Sequence, residues 1–211
     1  MVAILTRDRS QLSAKKEAIL IAAARLFSQK GYAAISMRVL AAEIGITPAA
    51  LYHHYSDKEA LYSAVLQYTF TDKAVAVGNL LGDDNAPEAR LERLIFWLAE
   101  LFSNDEVFTK LLHRELLDGD EVRIRLLTEE LIEAPFREIE MLMQRLAPDR
   151  DARLSAISVI ALTLGHFELM PIVQNLSGQI KANDDLSTLA NHVKSLILCG
   201  LTNSPSSKGE G

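Results

Sequence analysis

At 211 residues, with 49% apolar and 24% charged side chains, the chain is long enough for one or two domains with a real core, which excludes a disordered polymer. Its single Cys excludes an internal disulfide, and no cluster has structural-zinc spacing, so a protein of the reducing cytoplasm with no metal and no cofactor is expected. The net charge of −6 argues against nucleic acid only when taken whole. Residues 1–66 carry eight Lys/Arg and five Asp/Glu, a balance of +3, while the remainder carries 14 basic and 23 acidic residues, a balance of −9. Affinity for DNA follows local phosphate neutralisation, so a small basic domain presented by an acidic body is compatible with it.

Helical periodicity runs nearly throughout and no strand-type alternation survives, which predicts an all-α fold. The opening MVAILTRDRS is too short an apolar run for a secretory signal. The first helix is expected over about 14–30, with Ile19, Ala22, Ala23, Leu26 and Phe27 on one face and Gly31 as its stop. Residues 37–55, MRVLAAEIGITPAALYHHY, then read as two short helices joined by a tight turn. Ser36 caps the first of these, Ala41 is small where the helices cross, and Gly45 can take the left-handed conformation that ends it. Thr47 and Pro48 start the second with a hydroxyl cap and a proline in the first turn, while Ile44, Ile46, Leu51 and Tyr55 form an apolar underside. This is a helix-turn-helix, whose second helix presents its N-terminal residues to base edges. Ser56 to Glu59 reads as a capping box for a fourth helix reaching about residue 78.

Beyond it, helices are expected over about 88–103 and 105–117, and over about 121–146 with a kink or break near Ala134 imposed by Pro135. Two more are expected over about 150–175 and 185–200, the last with Leu186, Leu189, Val193, Leu196 and Ile197 on one side. The segment 156–173 contains Ser158, Thr163, His166, Glu168 and Pro171, so it reads as a poor membrane span. The division expected is a helix-turn-helix domain with an N-terminal arm over 1–60, a helical ligand-binding and dimerisation domain over 61–200, and a disordered Ser/Pro/Gly-rich tail over 201–211.

The stretch of about residues 13–66, which contains KKEAILIAAARLFSQKGY and ends in LYHHYSDKEALYSAVL, resembles the tetracycline-repressor (TetR) family of bacterial regulators. Leu51, Tyr52, His54, Ser56, Lys58, Glu59 and Leu61 match that family's pattern, with Tyr55 where Phe is usual and Ala49 where a Gly often stands. The resemblance implies an N-terminal three-helix reading domain, a C-terminal effector domain, and a homodimer formed through the last two helices on a palindromic double-stranded operator. It implies phosphate contacts from Tyr52 and Lys58, core packing being the other reading of Tyr52; His54 reads as structural. Ser36, Arg38, Thr47, Pro48, Ala49, Ala50 and His53 complete the expected DNA face, the first and third through helix N-termini. Lys15, Lys16, Arg7 and Arg9 read equally as added DNA contacts or as solvated charge.

The recognition helix lacks the Arg, Gln or Asn that makes bidentate contacts to G or A, so specificity is expected from thymine methyls, His53 and DNA shape. For an unknown small-molecule effector, Trp97, Phe102, Phe108, Met141, Met143 and Phe167 are candidate walls and His113, Glu115, His166 and Glu168 candidate polar anchors; the aromatic and Met positions and His166 also read as plain core. The function expected is a ligand-responsive repressor. A helical protein-interaction module is the alternative, and an enzyme is disfavoured because no phosphate loop, metal motif or nucleophile motif is present.

Overall fold

The computed structural model describes residues 13–82, 85–176 and 185–202, and within them the chain is helical with no strand. The N-terminal arm with Arg7 and Arg9, the end of the penultimate helix at Ser177 and Gly178, and nearly all of the expected tail lie outside the described residues. Ten α-helices follow in order: α1 (Ala14–Lys30), α2 (Met37–Ile44), α3 (Pro48–His54), α4 (Lys58–Leu81), α5 (Pro87–Asn104), α6 (Glu106–Asp118), α7 (Glu121–Leu127), α8 (Glu133–Leu146), α9 (Ala152–Val173) and α10 (Leu186–Thr202).

Two compact units form, and they are not the contiguous blocks 1–60 and 61–200 of the sequence reading. One holds the described residues up to Ala76 together with Asp105–Pro135, and the other holds Val77–Asn104 and the described residues from Phe136 onward. The reason is packing: α6 lies on α1, so residues far along the chain complete the core of the first unit. That core gathers Ile19, Leu20, Ala23 and Phe27 of α1 with Ile35, Leu40, Ala41, Leu51, Leu61 and Tyr62. Burying such side chains is worth roughly 1.5–3 kcal/mol each before entropy is counted.

Three local features bear on the expectations from sequence. The cap of α4 is Asp57 rather than Ser56. Its carboxylate accepts from the Ala60 amide at 2.7 Å and from the Ser56 hydroxyl at 2.9 Å. Those two donors hold the Asp57 carboxyl below its usual pKa. The helix expected over about 121–146 is interrupted close to the expected position, and Pro135 stands in the first turn of α8. The strain is absorbed just before it, where Thr128–Ile132 widens into a π-helical turn between α7 and α8, because proline has no amide to return to the preceding turn. On α9, finally, Ala156, Val159 and Thr163 are the buried positions, while Leu154 and Ile157 face outward.

In the second unit α5, α9 and α10 pack mutually. Leu189, Val193 and Ile197 of α10 are buried there, but Leu196 is exposed, so the last helix has apolar side chains on two sides.

Candidate nucleic-acid interface

The turn between α2 and α3 is built from its end groups. Gly45 sits at φ 75°, ψ 29°, and the amides of Gly45 and Ile46 return to the carbonyls of Ala42 and Ala41 at 3.2 and 2.9 Å. This pair of bonds closes a helix on a left-handed residue, a conformation in which any side chain with a Cβ is strained. Ser36 Oγ accepts from the Val39 amide at 3.3 Å and Thr47 Oγ1 from the Ala50 amide at 3.2 Å, so both predicted caps are formed. Leu51 is wholly buried beneath α3 and Tyr55 nearly so.

With that underside fixed, the opposite face of α3 is open. Thr47, Pro48, Ala49, Ala50 and His53 are exposed, as are Ser36 and Arg38 at the start of α2. Tyr52 is 51% exposed, so its ring is no part of the core. His53 and His54 meet edge to face with ring centroids 5.7 Å apart, and His54 is half-buried. Apart from Lys58, the nine residues expected on DNA therefore lie on accessible surface around one helix-turn-helix.

Lys58 has another task. Its ammonium donates to the carbonyl oxygen of Tyr32 at 2.9 Å and sits 4.0 Å from the centre of the Tyr32 ring. Tyr55 carries its own peculiarity. Its hydroxyl is buried with no hydrogen-bond partner among the described residues, and burial pushes its pKa up to about 12.

The family described as bacterial regulatory proteins, tetR family, matches residues 19–65, the stretch that spans this site. It is this helix-turn-helix segment, rather than the whole chain, that the tetR-family match covers. Among curated relatives, the uncharacterised HTH-type transcriptional regulator YerO of Bacillus subtilis is 40% identical over 57 residues, 27% of this chain and 20% of that one. The HTH-type transcriptional repressor BepR of Brucella suis is 28% identical over 115 residues, 52% of this chain and 55% of its own. The chain thus spans between a fifth and about half the length of these relatives. In the solved structure of the transcriptional regulator FadR from Bacillus subtilis in complex with stearoyl-CoA, the fold recurs with a TM-score of 0.71 at 15% identity. That likeness covers 87% of this chain and 98% of that one.

Behind the tetR-family motif lies a polar network that sequence reasoning missed. Glu115 of α6 is completely buried; the Tyr62 hydroxyl donates to its Oε1 at 2.5 Å and Arg123 Nε to its Oε2 at 3.0 Å. Burial first, and then the bond to Glu115, raises the Tyr62 pKa well above that of an ordinary tyrosine. For Arg123 burial works against the charge, but Glu115 and Asp120 outweigh it and the pKa is raised. The neighbouring Arg114 donates from Nε to Ser28 O at 2.8 Å and from a terminal nitrogen to Gln29 O at 2.5 Å, filling the C-terminal end of α1. A Cβ at Gly31 would stand 2.8 Å from the end of that arginine, which would have to move, and the φ of 79° favours glycine there in any case. One signal was available: Phe108, Leu111 and Glu115 lie on one helical stripe, which puts a carboxylate in a core position.

The effector candidates are not gathered in one hollow. Trp97 lines an open groove of about 520 Å³ with Phe96, Leu80, Glu92, Arg93 and Asn191. Met141 is on a smaller hollow of about 210 Å³ beside Arg90, Glu138 and Arg145. Phe102 and Phe108 are buried, the latter 4.6 Å from the Phe70 ring, and His113 is half-buried on α6. His166 is exposed on α9 with Phe167 edge-on at 6.0 Å.

Proposed function

We propose that the chain is a transcriptional repressor of the bacterial cytoplasm that binds a palindromic operator as a homodimer and is released by a small-molecule effector. The observation that carries this reading is the exposed, capped α3 with Tyr52 and His53 on its open side, within a segment matching the tetR family. Tyr52 and Arg38 supply phosphate contacts from α3 and α2, and Lys58 adds a third from the start of α4. Pro48, Ala49 and Ala50 meet thymine methyls, with His53 as the polar reader.

Dimerisation is supported by α9. Its 22 residues have a mean hydropathy of 1.7 over an 18-residue window, enough by length and composition alone to cross a membrane. Yet it packs on α5 and α10 and carries His166, Glu168 and Pro171. Leu162, Leu169 and Ile172, at 43%, 57% and 62% exposure, leave an apolar face that a second copy would cover with its own. A two-fold dimer presents two reading helices to half-sites one helical turn apart. An effector then acts by favouring the dimer geometry that misplaces them, and its effect cannot exceed its differential affinity for the two geometries. Trp97, with the groove it lines, is the first of the effector candidates to probe. FadR of Bacillus subtilis was solved with stearoyl-CoA, which makes acyl-CoA thioesters reasonable first ligands.

The test is a binding titration on operator duplexes in which each thymine is replaced in turn by uracil. Removing contacted methyls should weaken binding by about tenfold at one or two positions per half-site. Equal affinity at every position would refute readout by Pro48, Ala49 and Ala50.

A further inference from the structure

A lysine that meets phosphate is a point charge on a flexible stem, and it contributes most when something holds it in place beforehand. Here the holder is visible. The Lys58 ammonium spends one of its three donors on Tyr32 O at 2.9 Å, lies 4.0 Å from that residue's ring centroid, and remains half-exposed. Tyr32 follows Gly31 in the turn between α1 and α2, where nothing in the local sequence fixes its ring.

The ring is fixed from a distance. It meets Tyr62 at 4.9 Å between centroids and stacks on Phe27 at 6.2 Å. The Arg123 guanidinium lies 4.7 Å from the Tyr32 centroid and 5.7 Å from that of Tyr62. Two cations on one ring repel unless one is neutralised. Arg123 is: Glu115 takes its Nε at 3.0 Å, Asp120 lies at 3.3 Å and Asp118 at 3.4 Å. Glu115 in turn has no exposed surface and its other oxygen receives the Tyr62 hydroxyl, so the group that orients Arg123 has little freedom itself.

We propose that Glu115, Arg123 and Tyr32 form a positioning relay that holds the Lys58 ammonium ready for a DNA phosphate. The relay runs from the α6–α7 corner to the start of α4, so residues more than fifty positions from the helix-turn-helix set the strength of one of its backbone contacts. The inference rests on the reading of Lys58 as a phosphate contact.

The experiment uses the full chain and a duplex recovered by the wild-type protein from a random-sequence 30-base-pair pool. Affinity is measured across a salt series for wild type, Arg123→Lys, Tyr32→Leu, Tyr32→Phe, Lys58→Met and the double variant Arg123→Lys with Lys58→Met. Arg123→Lys keeps the charge toward Glu115 but loses the planar stack; Tyr32→Leu keeps the fold of the turn but loses the ring. Each should weaken binding by about tenfold and lower the salt slope by about one counterion, as Lys58→Met does. The double variant should bind no worse than Lys58→Met alone, and Tyr32→Phe should bind as wild type does. A role in general stability would reduce affinity without moving the slope. Unchanged slopes in Arg123→Lys and Tyr32→Leu, or losses that multiply in the double variant, would overturn the relay and leave the regulator reading standing. Failure of the wild-type chain to recover any duplex would overturn both.

Discussion

Helix α3 and helix α9 both turn apolar surface outward, but they differ in scale and in what could cover it. Helix α3 has seven residues, and its open face is made of Pro48, Ala49 and Ala50, too small to bury much area but well shaped for a methyl group in a groove. Helix α9 has 22 residues and exposes Leu154, Ile157, Leu162, Leu169 and Ile172, large side chains that gain by association with another apolar face. The first surface suits a hydrated, charged partner; the second suits a copy of itself. Exposure alone distinguishes nothing. The size of the exposed side chains and the charge around them do.

The comparison predicts its own breaking points. The largest effect should follow from charging α9. Leu162→Arg with Leu169→Arg should leave the chain monomeric in sedimentation, and loss of the second half-site should cost on the order of a hundredfold or more in operator affinity. A dimer that persists would show that α9 is not the interface. Next comes Glu115→Ala, which leaves the Tyr62 hydroxyl and the Arg123 guanidinium without their shared acceptor. Removing one partner of a buried pair costs roughly 3–5 kcal/mol, to be read as a lower urea midpoint. A change under about 1 kcal/mol would mean that water replaces the carboxylate.

The smallest effect concerns tyrosines. Tyr55→Phe removes a buried hydroxyl that has no partner among the described residues and should stabilise the head by about 1 kcal/mol. The pH dependence has a definite sign. Tyr55 and Tyr62 both titrate above the ordinary value of 10.0 because burial disfavours the phenolate. The unfolded chain therefore ionises them first; their contribution is intact below pH 10 and is lost as pH rises above it. Thermal melts from pH 8 upward should show that decline, less steeply in Tyr55→Phe; identical profiles would contradict it.

How much of this was legible in the sequence follows from the range of the interactions involved. The caps at Ser36 and Thr47, the turn at Gly45 and the buried Leu51 depend on neighbours within four residues, and they could be read directly. The cap of α4 shows the limit, since Ser56 and Asp57 are both good caps and only geometry chose between them. The long-range features were hidden. Arg114 and Arg123 look like surface charge in sequence, and what they meet, Ser28 and the rings of Tyr32 and Tyr62, lies far away along the chain. The buried face of α9 was not legible for a related reason. A helix apolar on most of its circumference gives no periodic clue to which side meets its own chain. Lys58 combines both cases: its motif was recognisable, but its bond to Tyr32 was not.

The account rests above all on operator binding by a dimer, and footprinting the DNA that flanks the chain's own gene tests this most directly. Full-length protein at low salt should protect two half-sites related by a two-fold axis and centred about 10 base pairs apart or a multiple of it. Protection should disappear steeply as salt rises. No protection at any protein concentration, or a single unpaired protected site, would contradict the account.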